Sequence, residues 1–480
     1  MLARFFGFDE HGTNLATEIR AGFTTILTMG YIIVVNPAIL AAAGIPIGPS
    51  TLATILVAGL GTILMGLVAN RPIGVAPYMG ENAFIAFGLA SLGIGWQMRI
   101  GAVFISGVIF LIITALRIRG WLANAISPSM KYALAVGIGL FLSFIGLVET
   151  GIVKPWVVGK PPAALFPGFL NLPCSCTTPI PPEGVSVPLE IGNLTSGPVL
   201  LSICGFLLIA VLMARKVRSA ILLGILATGA AGILLGHGQV PREVFAMPRF
   251  TGPDGLFAIA GQLRFSETVT LADGTTRTMS FFSFTLMPVL LTLFLMDFLD
   301  TIGTLMGVGA AGNMLDQNGN FPEIEKPMIV DAVACTFSAL VGTSTSGAYV
   351  ESATGIQDGA RTGMAAIVTG LLFLVCLFLV PLVTPLQSLK YAYGPALIVV
   401  GILMIKAIVN IRFDDFTELV PAFTTVAIMA FTYNIANGLT AGLVLYPLIK
   451  AATGRWREVN PGMVVLGLLC ASYYVFGLVH

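Results

Sequence analysis

The amino-acid sequence predicts an all-α polytopic membrane protein with about 14 transmembrane segments in two inverted repeats of seven. Three observations support this fold class: a strongly apolar composition, a long series of apolar segments, and motifs of the first half that recur in the second. Of the 480 residues, 56% are hydrophobic and 10% are charged, whereas soluble domains carry roughly 25% charged residues. A soluble enzyme with an ordinary hydrated surface is therefore excluded.

The apolar segments have the length of membrane-spanning helices, about 20 residues. In the first half they lie at 20–40, 51–69, 98–117, 128–148, 197–214 and 217–237. In the second half they lie at 282–308, 327–342, 360–383, 390–411, 415–433, 436–452 and 461–479. Two shorter stretches, 75–90 and 343–357, are apolar but rich in Gly, Pro, Ser and Thr. They predict two broken half-helices preceded by short extended segments, which protein must bury or which must line a cavity.

Two short motifs recur in matching order. Residues 129–133, SMKYA, correspond to residues 388–392, SLKYA, and residues 99–101, RIG, correspond to residues 361–363, RTG. Each broken stretch lies directly before its Arg-x-Gly motif. With an odd number of segments per half, the second half is inverted relative to the first. Inverted repeats with broken helices in matching positions are typical of secondary transporters, whose half-helix N-termini are directed at a substrate near the membrane midplane.

The short basic segments between spans predict the orientation. Those around Arg4, Arg71, Arg117, Arg119 and Arg215 can all face the cytoplasm, which predicts a cytoplasmic N-terminus. The loops at about 149–196 and 238–281 then face outward, and the second contains a predicted β-hairpin around Asp273-Gly274. The segment 461–479 follows what we count as the last span. Either it lies along the membrane surface, or 415–452 is one broken segment plus a linker.

Four carboxylates lie inside apolar segments, where each costs several kcal/mol. Asp297 and Asp300 are three residues apart on one helical face, Glu351 lies in the second broken stretch, and Glu81 precedes Asn82 in the first. These residues predict a polar site at the repeat interface. The alternative is that some of them cap half-helices or tie the two halves together.

No Lys or Arg in these segments obviously neutralises the four acids. An unpaired buried carboxyl group tends to keep its proton, because burial penalises the charged form. It is therefore a plausible proton carrier, and a cationic substrate is the rival explanation. The acids argue against an anion transporter or channel. No catalytic triad, metal cluster or phosphate-binding loop points to an enzyme, and no basic run points to nucleic acid.

Four stretches carry a resemblance to a known family: GENAFIAFG, DFLDTIGTLMGVG, TSTSGAYVESATGI and TEIRAGFTTILTMGYIIVVNP. The chain resembles the nucleobase–cation symporter-2 superfamily, and within it the AzgA-like adenine/guanine/hypoxanthine permeases. The resemblance implies a proton-coupled symporter that imports purine nucleobases by elevator-type alternating access. It also implies a homodimer in the cell (inner) membrane, with H⁺ as the coupling ion and no cofactor or metal. A uracil-, xanthine- or urate-type permease is the alternative.

The same resemblance implies a division into core and gate domains. The expected boundaries are 1–127 for the first core, 128–240 for the first gate, 241–281 for an outward loop with a hairpin, 282–385 for the second core, and 386–480 for the second gate with the apolar tail.

Individual roles follow from the matched motifs. Glu351 is expected to bind the purine, with Asp297 as its partner. The remaining substrate-binding candidates are Asn82, Ala83, Phe84, Tyr349 and Thr301. The candidates for proton coupling or a polar network are Asp300, Asp297, Glu351 and Glu81. The chemistry agrees, because a carboxylate can accept the paired N–H donors of a purine while an amide serves its carbonyl.

Overall fold

The computed structural model describes residues 2–89, 92–116, 125–155, 189–241, 243–270, 276–281, 286–315 and 321–472. Within these ranges, nine helices are long and apolar enough to cross a membrane, which confirms the predicted polytopic helical class. Several predicted features lie outside the described residues: Arg117, Arg119, the Asp273-Gly274 turn and the end of the tail at 473–479.

The first half contains nine helices in the described part of the chain. They are α1 (Leu2–Phe6), α2 (Leu15–Met29), α3 (Ile32–Ala41), α4 (Ile47–Leu64, continued by a π-turn over Met65–Ala69), α5 (Met79–Ala83, continued by a π-turn over Phe84–Gly88), α6 (Trp96–Ala115), α7 (Pro128–Glu149), α8 (Gly197–Ala214) and α9 (Ala220–Leu234).

The second half contains a further nine helices among the described residues. They are α10 (Met287–Ala311), α11 (Glu325–Val341), α12 (Ser352–Gln357), α13 (Gly363–Val375), α14 (Val380–Gln387), α15 (Lys390–Ile405), α16 (Phe416–Phe431), α17 (Ile435–Ala452) and α18 (Pro461–Ser472). A 3₁₀ turn over Cys376–Leu379 joins α13 to α14, and another over Lys406–Asn410 follows α15.

Both predicted broken segments have the expected form. Strand β1 (Val75–Pro77) precedes α5, and strand β6 (Ser346–Ala348) precedes α12. The two strands pair antiparallel, with Ala76 opposite Gly347. The pairing places the two half-helices on either side of a shared two-stranded ladder, as inverted repeats require.

A left-handed residue ends the helix before each of these strands. Asn70 (φ 48°) follows the π-turn of α4, and Gly342 (φ 96°) follows α11. Gly and Asn are the residues that adopt this conformation most readily at a helix end. They let the chain reverse from helix into strand inside the protein.

Two other pairs of strands lie outside the helices. Strands β2 (Val153–Pro155) and β3 (Leu189–Ile191) pair antiparallel, as do β4 (Ser266–Thr270) and β5 (Thr276–Ser280). The second pair confirms the strands of the predicted hairpin.

The helices pack in two groups. The first group contains α2 to α6 with α10 to α14, and the second contains α7 to α9 with α15 to α18. The central helices are α4 and α13 in the first group and α7 and α15 in the second. Each carries glycines spaced seven residues apart along its own length, and these bring the two helices close together. In the first group a Cβ on Gly363 would overlap the carbonyl oxygen of Gly66, and in the second a Cβ on Gly139 would lie 2.7 Å from the carbonyl oxygen of Gly401. Small residues at helix interfaces allow this close backbone approach in membranes.

The predicted span 20–40 is not one continuous helix. It breaks after Met29, and α3 begins at Ile32. The break at Gly30 turns the side chain of Tyr31 toward the second broken segment, where its hydroxyl bonds to Glu351.

Residues 415–452, for which one broken span was an alternative, contain the helix α16 and the span-length helix α17. Helices α16 and α17 pack against each other, and α18 packs on α17. The placement of 461–479 relative to a membrane stays a prediction.

Candidate functional site

The predicted carboxylates lie where α10 meets the two broken segments. Asp297 and Asn82 are completely buried, Glu81 is almost so, and Asp300 and Glu351 are half-buried. Asp297 and Asp300 each lie close enough to Glu81 to interact with it electrostatically, and Asp300 interacts in the same way with Glu351. The structure therefore brings together the acids that the sequence singled out.

Several oxygens in this cluster have no hydrogen-bond partner among the described residues. They are both carboxylate oxygens of Glu81, both of Asp297, the amide oxygen of Asn82 and the hydroxyl of Thr345. The thiol of Cys335, a weak donor, adjoins Asp297. Buried polar groups without partners are rare and costly in folded proteins. Their concentration here marks a place that is built to bind polar atoms.

Asn82 is held by a polar network that the sequence did not predict. Its amide nitrogen donates to the Asn36 oxygen at 2.8 Å, and the Asn36 nitrogen donates to Thr54 (2.8 Å) and Thr343 (2.9 Å). The donors of Asn82 are thereby fixed, so its free oxygen has a defined direction.

Within the described residues, the carboxylate of Glu351 has one side-chain hydrogen-bond partner. The Tyr31 hydroxyl donates to Oε1 of Glu351 at 2.6 Å. A short hydrogen bond to a carboxylate fixes the orientation of the group.

A fifth buried acid, Asp331 on α11, belongs to the cluster and was missed. It accepts a hydrogen bond from the Thr301 hydroxyl and another from the backbone N–H of Ala348 in β6, the latter at 2.6 Å. Thr301 also bonds to the hydroxyl of Tyr78 at 3.1 Å. Asp331 thus ties β6 to α10 and α11. The signal was present in the sequence, since an acid inside the apolar segment 327–342 meets the same criterion as the other four.

The aromatic candidates occupy structural positions beside the cluster. The rings of Tyr349 and Tyr78 are stacked, with 6.3 Å between their centroids, and the Tyr349 hydroxyl donates to the carbonyl oxygen of Pro77 at 2.6 Å. Ala83 and Phe84 are completely buried in α5 and its π-turn.

The arginines of the repeated Arg-x-Gly motif bind the far ends of the broken helices. Arg99 donates to the carbonyl oxygens of Ile85 and Ala86, and Arg361 donates to those of Ile356 and Ala360. A cationic side chain is favourable at the C-terminal end of a helix. The repeat detected in the sequence therefore has a structural cause.

Glu18, completely buried on α2, is another acid that the sequence analysis missed. Its carboxylate accepts hydrogen bonds from the backbone N–H groups of Arg361 (2.9 Å), Thr362 (3.4 Å) and Ala365 (3.2 Å). It caps the first turn of α13, which is a structural role.

One face of α10 is open on the C-terminal side of Asp300. Gly303 and Gly307 follow at helical spacing, and a Cβ added at either would meet no atom within 4 Å. The half-buried carboxyl group of Asp300 therefore lies at one end of an open strip.

Each broken segment also contacts the second packing group at its far end. The Asn434 side chain donates to the carbonyl oxygen of Gly88 at 3.1 Å. At the corresponding end of the second segment, Arg218 forms an ion pair with Asp358. Asn434 lies between α16 and α17, and Arg218 lies between α8 and α9.

A separate charged cluster ties together the end of the second group. The buried Lys450 contacts Glu418 at 3.0 Å and Glu458 at 2.8 Å. Hydrogen bonds from Arg455 and Lys450 hold the pKa of Glu458, which lies in the loop after α17, at about 2. This cluster links α16, α17 and the following loop, and its charges are paired.

Comparisons with known proteins give one consistent result. A model described as "Permease family" matches residues 16–173 and 182–440. The chain is 36% identical over 471 residues to the adenine permease AdeQ of Escherichia coli K12, covering 98% of this chain and 95% of that protein. It is 36% identical over 482 residues to the guanine/hypoxanthine permease PbuG of Bacillus subtilis 168, covering 98% and 99%. Among solved structures, the transmembrane domain of the cyanobacterial bicarbonate transporter BicA has the same fold, with a TM-score of 0.58 and 13% identity over 88% of this chain and 97% of that one.

Proposed function

This chain belongs to the permease family of nucleobase–cation symporters, and from that premise we propose that it imports purine nucleobases together with protons. It is an integral membrane transporter and not an enzyme. The observation that carries the proposal is the group of unpartnered oxygens on Glu81, Asn82 and Asp297, next to the half-buried Glu351.

A purine matches the hydrogen-bonding capacity of this group. Guanine, hypoxanthine and adenine each present N–H donors on the edge of a flat ring. Carboxylates accept such donors in pairs, and the buried acceptors of this site have few donors of their own to satisfy them. Relatives with 36% identity over almost the whole chain are named as permeases for adenine and for guanine/hypoxanthine. These names favour adenine, guanine and hypoxanthine over uracil and over the oxidised purines xanthine and urate.

Proton coupling is supported by the composition of the cluster. Within the part of the chain that the structure describes, no Lys or Arg side chain pairs with Asp297, Asp300 or Glu351. Adding a proton is then the simplest way to remove a buried negative charge. Asp300 lies at the end of the open strip along α10, which we propose as the route by which a proton reaches it.

The two packing groups support an elevator mechanism. We assign the group that carries the site to the core domain (1–127 and 282–385) and the other group to the gate domain (128–240 and 386–480). The site would then move with the core past the gate. A homodimer through the gate, placement in the cell membrane and a cytoplasmic N-terminus are part of the same proposal.

Uptake by proteoliposomes tests the function. The purified protein is reconstituted, an inward proton gradient is imposed, and the uptake of labelled adenine, guanine and hypoxanthine is measured. At least one purine should accumulate above its equilibrium level, and a protonophore should abolish the accumulation. Saturable uptake of uracil, xanthine or urate without uptake of adenine, guanine or hypoxanthine would overturn this substrate assignment. Non-saturable, proton-independent anion flux would favour a channel or anion transporter of the same fold.

A further inference from the structure

The two Arg-x-Gly arginines occupy equivalent places in the two repeats. Each follows its broken helix in the chain and folds back onto its end: Arg99 donates to Ile85 and Ala86, and Arg361 donates to Ile356 and also to Ala360, the residue directly before it. The opposite end of each broken helix carries binding-site residues, namely Glu81 and Asn82 in the first segment and Glu351 in the second.

The first arginine is a two-point clamp. Arg99 is 8% exposed. Its Nε donates to the carbonyl oxygen of Ile94 at 3.0 Å, while its Nη1 donates to the oxygens of Ile85 at 3.0 Å and Ala86 at 2.9 Å. The planar guanidinium thus joins the end of the broken helix to the start of α6. Two different nitrogens are needed for this geometry, which the guanidinium supplies and a single ammonium group does not.

The second arginine uses one nitrogen for its clamp. Nη1 of Arg361 donates to both Ile356 and Ala360, each at 2.7 Å. A lysine ammonium has three donors on one atom and can make the same two contacts. The two repeats therefore differ in whether lysine can replace arginine.

The distance from clamp to site is short in both segments. Ile85 and Ala86 lie one helical turn after Glu81 and Asn82, and Ile356 lies five residues after Glu351. A helix of one or two turns has few internal hydrogen bonds with which to hold its own shape. Its position must come from what holds its two ends.

We propose that Arg99 and Arg361 are positioning residues, each of which sets the binding geometry of one half of the site without touching the substrate. Arg99 fixes Glu81 and Asn82, and Arg361 fixes Glu351. The assignment of a purine as the ligand rests on the function proposed above, whereas the clamping itself does not.

The experiment compares Arg99→Gln, Arg99→Lys, Arg361→Gln and Arg361→Lys in the full-length purified protein. Arg71→Gln is the matched control, because Arg71 donates to the carbonyl oxygen of Pro322, outside both broken helices. The affinity for labelled hypoxanthine and for labelled adenine is measured in detergent, together with the melting temperature without ligand. Hydrogen–deuterium exchange is followed in peptides covering 79–89 and 352–360.

Both glutamine variants should weaken purine binding by about tenfold to one-hundredfold, since Arg99 loses charged hydrogen bonds at a buried site and Arg361 loses them at a half-buried one. Arg361→Lys should recover nearly wild-type affinity, and Arg99→Lys should not. Exchange should increase only in 79–89 for Arg99 variants and only in 352–360 for Arg361 variants, and Arg71→Gln should change neither readout.

Three results would overturn the inference. One is wild-type affinity in both glutamine variants, and another is equal rescue of both sites by lysine. The third is a loss of affinity that follows the melting temperature in all variants, which indicates general destabilisation. If a glutamine variant does not fold, the lysine pair still tests the predicted asymmetry. Failure of the wild-type protein to bind any purine would contradict the proposed function instead. In that case the hydrogen–deuterium exchange data would still test whether each arginine holds its broken helix in place.

Discussion

The two broken segments have the same architecture but different surroundings. The first, at 75–88, is buried, and its far end meets the second packing group through neutral contacts from Asn434 and Tyr433. The second, at 346–357, is more open. Val350 is 57% exposed, and the far end meets the second group through the charged pair Arg218–Asp358. The inverted repeats thus supply two broken segments of equivalent architecture. Only the second carries an accessible acid, Glu351.

Residues of helix α3 and of the break before it form hydrogen bonds with both broken segments. Tyr31 donates to Glu351 of the second segment, and Asn36 accepts from Asn82 of the first. The comparison therefore predicts that Glu351 of the accessible segment contributes more to substrate affinity than Glu81 and Asn82 of the buried one. Substitutions that affect one segment and spare the other test this prediction.

The largest effect is expected at the acids of the two segments. Glu351→Gln should weaken purine binding by about one-hundredfold, because a charged acceptor is replaced by an amide with a single oxygen. Glu81→Gln, the matched change in the buried segment, should weaken affinity less, by about tenfold, and reduce the pH dependence of uptake. Equilibrium binding and uptake at several pH values measure both effects. Equal losses of affinity in the two variants would contradict the difference between the segments.

The next effect concerns the hydrogen bond that orients Glu351. Tyr31→Phe removes the donor and should weaken binding by about tenfold, the range expected for a hydrogen bond to a charged group. Tyr391→Phe is the control, since that hydroxyl bonds to the carbonyl oxygen of His237 in the second packing group. Unchanged binding in Tyr31→Phe would show that Tyr31 does not orient Glu351.

A smaller effect is expected at the charged contact between the packing groups. Arg218→Glu places like charges against Asp358 and should disfavour the present arrangement of core and gate by about tenfold or less. The change is measured in a protein whose native cysteines are replaced and which carries Val350→Cys. Because Val350 is exposed in the present arrangement, a smaller population of that arrangement should react more slowly with a membrane-impermeant maleimide. The exchanged pair Arg218→Asp with Asp358→Arg should restore the rate. If the exchanged pair restored neither the labelling rate nor uptake, the ion pair would not be what holds the two packing groups together.

The smallest effect is expected at the neutral contact. Asn434→Asp removes the uncharged donor to Gly88 but keeps the oxygen that caps α17 by accepting from the N–H of Ala436, and it should change the transport rate by about two- to fivefold without changing affinity. Initial uptake rates and equilibrium binding, measured side by side, separate the two quantities. An effect larger than that of Arg218→Glu would reverse the ranking of the two contacts.

Particular residues show how far sequence reasoning reached. The matched motifs at 99–101 and 361–363 and the Gly- and Pro-rich stretches predicted the broken segments, and the strands and half-helices are present. Asp297, Asp300, Glu351, Glu81 and Asn82 were found because polar groups in an apolar segment are conspicuous. Asp331 met the same criterion and was overlooked. Tyr31 and Asn36 gave no such signal, because a tyrosine or a single asparagine in an apolar segment is common.

The sequence by itself determined the membrane class, the two broken segments and most of the acids of the site, because these depend on local composition and spacing. Only the tertiary structure decided which groups meet: Tyr31 with Glu351, Asn36 with Asn82, and each arginine with the end of its broken helix. The first two contacts join residues 320 and 46 positions apart in the chain. Such pairings depend on which helix faces pack together. Because the apolar surfaces of these helices are nearly uniform, the sequence gives little indication of which faces meet.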